Sequence, residues 1–322
     1  MKKNDPNKSN DIDLYTQNVL QNGISRRSFL TRAAVGTGAV AFTGLTGSMA
    51  TASTDDCAKT AKSSDGGATL EFMPKPKPIS DRDIVSTQTF DVVVVGAGAS
   101  GVPAALSAAE NGAKVAVLQK QAIVVSQGNT GSGIDLANSD KAAVEAMVNR
   151  LMGDSAHRCH PELVREWAYN SGEAVSWVID RAKKGGAQIV DQGTKVQHGI
   201  HGVTEHKLNF VTSYCGPKPY TTGDGMRALA KVAEKAGVKF FFNMPAQQLV
   251  QDDSGKVIGV IAQDRDGKYH KYMAKKGVIL SSGDYQNNEA MCNFFIPDLK
   301  NFERKQMDRT GDGFSMAYWA GG

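Results

Sequence analysis

Gly96, Gly98 and Gly101 follow four consecutive valines, Val92 to Val95, with the spacing G-x-G-x-x-G. Lacking a Cβ, these positions allow a tight strand-to-helix turn whose backbone N–H groups can close on a pyrophosphate at the helix N-terminus. Ala97 and Ser100 lie within the same turn. The chemistry is dinucleotide binding, and at this point the dinucleotide can be NAD(P) or FAD.

Two further groups extend that site. At the end of the second strand, where a Rossmann fold usually carries Asp or Glu for the adenosine ribose, stand Gln119 and Lys120. The Gln119 amide oxygen can accept one ribose hydroxyl, whereas Lys120 can neutralise a 2′-phosphate, which keeps NADP open. About ten residues on, "SQGNTGSGI" holds Gly128, Asn129, Thr130, Ser132 and Gly133. Its glycines let the backbone pass close to a flat or phosphorylated ligand, and its polar side chains can hydrogen-bond one.

Other polar clusters carry less. "HRCH" at 157–160, near Asp154, matches no common zinc spacing and runs straight into Pro161 at a helix start, so no metal site is expected. His198, His201 and His206 share a loop and read as a solvated turn or as donors toward an anionic substrate or cofactor. Asp224 reads as a helix cap, with a ligand contact at Thr222 or Asp224 as the alternative. Four widely spaced cysteines without C-x-x-C exclude a zinc ribbon and c-type haem attachment and read as buried thiols, a disulfide being the alternative in an exported chain.

The elements that must position the glycine turn are legible from hydrophobic pattern. Residues 89–95 form an unbroken apolar strand, 98–111 an Ala-rich helix and 114–118 a second strand. Amphipathic helices follow at 140–152, 161–170 and 172–184, with Val144, Met147, Val148 and Leu151 inward on the first and Val175, Val178, Ile179 and Ala182 on the last. A helix at 225–236 leads to a third strand at 238–243. Short strands at 249–252, 257–263 and 269–273, separated by "DSGK" and "DRDGK", make a meander. The apolar run "GVILSSGD" at 277–284 then ends at Gly283.

Composition bounds the rest. The chain has 322 residues, 41% apolar and 22% charged, as in a globular protein with a sizeable core. Beyond residue 52 basic and acidic residues nearly balance, 31 against 30, so no nucleic-acid partner is expected. Residues 25–30, "SRRSFL", precede a mildly apolar Ala/Gly/Thr run and an A-x-A site at 50–52, which resembles a twin-arginine export signal over 1–52. A polar, Pro-containing tract at 53–88 reads as a flexible linker. Export favours a cofactor loaded once and kept, hence FAD over nicotinamide.

The order of strand, glycine turn, second strand, GN-containing loop, third strand, meander and glycine-ended strand resembles the FAD-binding half of the fumarate reductase/succinate dehydrogenase flavoprotein family. "TGDG" at 310–313 matches that family's segment in which an Asp contacts the cofactor. The resemblance runs from about residue 89 to the last and implies an α/β fold: a Rossmann-like FAD-binding domain with a parallel sheet, a β-meander at about 247–275 and a helical insertion at about 139–236. It carries FAD contacts onto Gly96, Gly98, Ser100, Gly101, Gln119, Gly128, Asn129, Thr130, Gly133, Ala246 and Asp312. Ala97, Lys120, Ser132 and Gly283 join them from their places in the same segments. Two departures are Gln119 for the family acid and "QG" for the GG before Asn129.

The resemblance implies reduction of an electron-poor C=C bond in a small unsaturated, carboxylate-type substrate, with electrons from a separate carrier, a cytochrome or a quinol-linked protein. In relatives the substrate-capping domain and the proton-delivering residues lie beyond the equivalent of Gly322, so this domain is expected to be incomplete here and no catalytic residue is named. A non-catalytic flavin-binding or electron-relay protein and an NADP-dependent Rossmann dehydrogenase are the alternatives.

Overall fold

Four valines in a row suit a strand buried on both faces, and they end β1 (Ile84–Val95), where Val93 and Val94 have no exposed surface. The computed structural model describes residues 70, 72–126, 133–190, 207–211, 213–215, 222–299, 301–304 and 308–322. All of them belong to one compact unit, Ala68–Gly322. The expected export signal, half of the linker tract, Gly128, Asn129, Thr130, Ser132 and the histidines at 198, 201 and 206 lie outside the described residues.

β1 is central in a six-stranded sheet. On one side it pairs in parallel with β2 (Val115–Gln119), which pairs in parallel with β5 (Lys239–Phe242). On the other it pairs in parallel with β8 (Tyr269–Leu280), to which the antiparallel β7 (Val257–Gln263) and β6 (Ala246–Gln251) are added. The order is β5-β2-β1-β8-β7-β6. Because the chain leaves β1 toward β2 and returns on its opposite edge as β8, a crevice opens beyond the C-terminal ends of these strands. A small separate pair joins β3 (Gln188–Val190) to β4 (Ser213–Cys215).

Helices cover the sheet. α1 (Gly101–Glu110), α3 (Pro161–Lys184) and α4 (Thr222–Lys235) bury Val102, Leu106, Val178, Ile179, Met226 and Leu229 against Val94 and Val117. On the opposite face Phe90, Val93, Val95 and Leu118 pack with Val260, Tyr272 and Met316. α2 (Lys141–Asp154) contributes Val144, Met147 and Val148 to a third cluster with Ile134 and Ala168. Val175 and Leu151 are only partly buried beside these clusters.

Four elements differ from the sequence-based reading. β1 begins at Ile84, inside the tract read as linker, after a short turn at Asp81–Asp83. Its polar first half is held by the ladder to Tyr269 through Ala274, a long-range pairing that local hydropathy does not signal. The two strands expected at 269–273 and from 277 are one strand. Its ladder slips between Phe90/Ala274 and Val92/Gly277, so that exposed Lys275 and Lys276 face the single residue Asp91 as a bulge.

The helices expected at 161–170 and 172–184 are likewise a single helix, α3. Gly172 does not break it. A Cβ at Gly172 would lie 2.1 Å from the Ile134 carbonyl oxygen, and one at Gly133 would lie 2.2 Å from the Ser171 carbonyl oxygen. The two glycines let the segment at Ile134 lie against the middle of α3, where the Ser171 hydroxyl accepts the Ile134 N–H at 3.1 Å. The burial gained outweighs the helix-propensity cost of one glycine, about 1 kcal/mol.

α4 starts at Thr222, three residues earlier than expected. Asp224 therefore sits in its first turn, where a carboxylate is favourable to the helix dipole, and pairs with Arg227. Arg227 in turn donates to the Val124 carbonyl at 3.1 Å, which ties α4 to the segment after β2.

Candidate functional site

The C-terminal ends of β1, β2 and β8 surround a cavity of about 370 Å3. Its floor is the glycine turn. Gly96 has φ +103, and a Cβ there would stand 2.3 Å from the Ser281 carbonyl oxygen at the end of β8, so both backbone angle and space demand glycine. Its N–H donates to the Leu118 carbonyl at 2.7 Å, and the Ser281 N–H to that of Val95, also at 2.7 Å. These bonds lock three strand ends together.

The three glycines have different jobs. Gly98 lines the cavity, and a Cβ there would touch nothing closer than the Val125 carbonyl oxygen at 3.4 Å. Gly101 instead packs inward: a Cβ would lie 1.9 Å from the Gly96 carbonyl oxygen. Between them Ser100 is the N-cap of α1 and makes no side-chain capping bond; the Val102 N–H already donates to the Gly98 carbonyl at 3.1 Å and Pro103 has none, so the Gly101 N–H is the first-turn donor that faces a ligand. Ala97 and Ser100 line the cavity beside Gly98.

Gln119 is 6% exposed and fully engaged. Its Oε1 accepts the Ala97 N–H at 3.2 Å, and its Nε2 donates to Gln121 Oε1 and to the Ile123 carbonyl, each at 3.1 Å. The residue expected to receive a ribose hydroxyl thus braces the glycine turn against the loop after β2. The substitution of amide for acid is explained here, because a carboxylate has no hydrogen to offer two acceptors.

Lys120 reaches across the cavity to α6 (Asp312–Trp319), which follows the short α5 (Glu289–Phe295). Its ammonium donates to Thr310 Oγ1 at 2.9 Å and to Asp312 Oδ2 at 3.1 Å, while the Thr310 hydroxyl donates to Asp312 Oδ1 at 2.7 Å. The lysine charge is already matched. It is not held in reserve for a 2′-phosphate, which removes the feature that kept NADP open.

Ala246, Gly283 and Asp312 line the same cavity. The structure therefore gathers Gly96, Ala97, Gly98, Ser100, Gln119 and Lys120 with those three from five separate stretches of chain. Gly133 is elsewhere, against α3, for the packing reason given above. Asp154 pairs with Arg150 at 2.8 Å, and His160 stands at the N-cap of α3 without a side-chain capping bond, next to an exposed Cys159.

Sequence reasoning missed Ser281, Ser282, Gln121, Asp308 and Arg309, all of which line the cavity. The two serines carried a signal, since small polar residues directly after a buried parallel strand fall at the ligand-binding edge. Asp308 and Arg309 carried none beyond preceding "TGDG". Their backbone is special: Asp308 has φ +64, an uncommon left-handed conformation for a residue with a side chain.

A turn whose Gly96 and Gly101 admit no Cβ, a helix N-terminus without a side-chain cap and a cavity at the sheet's reversal point define a dinucleotide-binding α/β domain, and the residues present fit the ADP end of FAD. A family model described as "FAD binding domain" matches residues 91–322. The chain belongs to that family, and its cofactor is FAD.

Among curated relatives, the chain is 27% identical over 245 residues to "Fumarate reductase (cytochrome)" of Shewanella frigidimarina, covering 73% of this chain and 40% of that protein. It is 29% identical over 269 residues to "Urocanate reductase" of Eggerthella lenta, covering 78% and 41%. In fold it is similar to the open conformation of a flavocytochrome c3 fumarate reductase, with a TM-score of 0.58, 24% identity, and coverage of 73% and 41%. The chain spans about two fifths of the length of these relatives.

Proposed function

We propose that this chain holds the FAD of an exported reductase acting on the C=C bond of a small unsaturated carboxylate, with electrons supplied by a separate cytochrome or quinol-linked carrier. One observation carries the reading: the glycine turn, Gln119 and Asp312 converge on a single cavity in a chain whose relatives bear the names fumarate reductase and urocanate reductase. Fumarate and urocanate share a carboxylate conjugated to a C=C bond. That shared group sets the substrate class.

When bound, the flavin supplies the two-electron redox chemistry. The chain's residues bind and orient it. The glycine turn leads to the Gly101 N–H at the α1 N-terminus, Gln119 keeps that turn in place, and Asp312, at the start of α6, offers a carboxylate to cofactor hydroxyls. The twin-arginine segment at 25–30 supports export of a folded, loaded protein. Among the described residues no helix is long and apolar enough to cross a membrane.

The test is a purified, FAD-loaded protein that contains this domain together with the segments its relatives carry beyond it, reduced with viologen and offered fumarate and urocanate in turn. Reoxidation of the flavin on addition of either acid is the expected result. A colourless protein that refuses added FAD overturns the cofactor assignment, and a flavoprotein inert toward every unsaturated acid replaces the reductase with an electron-relay role.

A further inference from the structure

Two cations line the described part of the cavity, Lys120 and Arg309, and they are held differently. The lysine is satisfied by Thr310 and Asp312 at hydrogen-bond distance. The Arg309 side chain is only 17% exposed, yet the carboxylate oxygen paired with it, Asp284 Oδ2, stands 3.7 Å from Nη1, beyond hydrogen-bond reach. Asp308, the neighbouring acid in the lining, spends Oδ2 on the Gln121 amide at 2.9 Å.

The backbone around Arg309 is built to hold the guanidinium there. Asn287 clamps the residue twice: its Oδ1 accepts the Arg309 N–H at 3.2 Å and its N–H donates to the Arg309 carbonyl at 2.8 Å. Gly283, with φ +85, passes directly beneath the side chain, and a Cβ there would lie 2.7 Å from Nη1. A glycine at that point leaves room for the guanidinium just after β8, in the cavity that Ser281 and the glycine turn also line.

We propose that Arg309 is the pyrophosphate-binding cation of this FAD site. The inference rests on the FAD reading and adds to it a residue outside the glycine motif. A largely buried guanidinium with only a loose ion pair is poorly compensated, and a dianionic pyrophosphate supplies the missing partner. Its planar fork matches two phosphate oxygens at once, while the glycine turn, which lines the same cavity, leads to the Gly101 N–H at the start of α1.

The experiment compares FAD dissociation constants of the full chain as wild type, Arg309→Gln and Asp284→Asn, by flavin fluorescence over a range of salt concentrations. Arg309→Gln is expected to weaken FAD binding by about tenfold or more and to flatten its salt dependence. Asp284→Asn, which removes the competing carboxylate, is expected to leave affinity equal or tighter. A purely structural Arg309–Asp284 pair would make both variants weaker together, and that result overturns the proposal, as does an Arg309→Gln chain that binds FAD like wild type.

Riboflavin, which has no phosphate, should bind wild type and Arg309→Gln equally. If Arg309→Gln does not fold, Arg309→Lys keeps the charge without the fork, and an unchanged FAD affinity and salt slope in that variant would count against bidentate binding. Failure of the wild-type chain to bind FAD at all would instead overturn the cofactor assignment, which separates the two failures.

Discussion

Gln119 Oε1 accepts the N–H of Ala97 at 3.2 Å, so the last residue of β2 holds the glycine turn at the end of β1 from 22 residues away. The amide's other half donates to Gln121 and Ile123. The position that ordinarily grips a ribose here braces the glycine turn as well as lining the cavity.

Gln119→Glu tests that role. A glutamate keeps an acceptor for Ala97 but places an oxygen against two other acceptors, leaving buried polar groups unpaired at a cost of about 1–3 kcal/mol. The apo variant is expected to melt at a lower temperature than wild type. Added FAD is expected to raise its melting temperature by more than that of wild type, because the freed carboxylate can accept ribose hydroxyls; an equal rise would show that Gln119 already contacts the ribose as well as Glu does.

Gly96 and Gly98 should separate folding from binding. Gly96→Ala forces a side chain onto the Ser281 carbonyl at positive φ and is expected to destabilise the domain by several kcal/mol, on the order of other strained-backbone and overpacking substitutions. Gly98→Ala adds a methyl that meets only the Val125 oxygen at 3.4 Å and intrudes on the cavity. It should retain near-wild-type denaturant stability while losing FAD affinity.

Leu106, on α1, has no exposed surface and packs between the helices and the sheet. Leu106→Ala should cost about 2–5 kcal/mol in urea or thermal denaturation. Because α1 carries the first-turn Gly101 N–H, FAD retention should fall in step with stability.

Stability should depend on pH through two groups near the meander. His270 hydrogen-bonds Asp264 through Nε2 and Ser86 through Nδ1, each at 2.8 Å, and the bond from His270 is the main reason that the Asp264 carboxyl lies below its usual value. That stabilisation is present above the ordinary aspartate range and lost as pH falls through the lowered folded value, so Asp264→Asn should flatten the acid limb of a pH–stability curve. Tyr272 behaves oppositely: burial pushes its phenol up to about 12, so its contribution is intact below about 10 and lost as pH rises from there to the folded value. Tyrosinate absorbance in the folded protein should show this delayed ionisation.

Much of the cofactor site was visible before folding was considered. The valine run, the glycine spacing and "TGDG" each depend on local backbone demands that residue type alone expresses, and the structure puts Gly96, Gly98 and Asp312 on one cavity. Gly133 shows the limit of the same logic. A glycine in a glycine-rich segment signals close approach without saying to what, and the partner is the middle of α3.

Local pattern, then, determined the strand-turn-helix unit and the dinucleotide class of its ligand, because tight turns, buried strands and N-terminal N–H groups are short-range properties of the chain. The tertiary structure alone decided which partners each polar group met. It made Gln119 a brace of the glycine turn, matched Lys120 to Asp312, joined β8 across its bulge and brought Arg309 to the segment after β8. Those outcomes depend on contacts between residues 22 to 192 positions apart, whose distances no local pattern encodes.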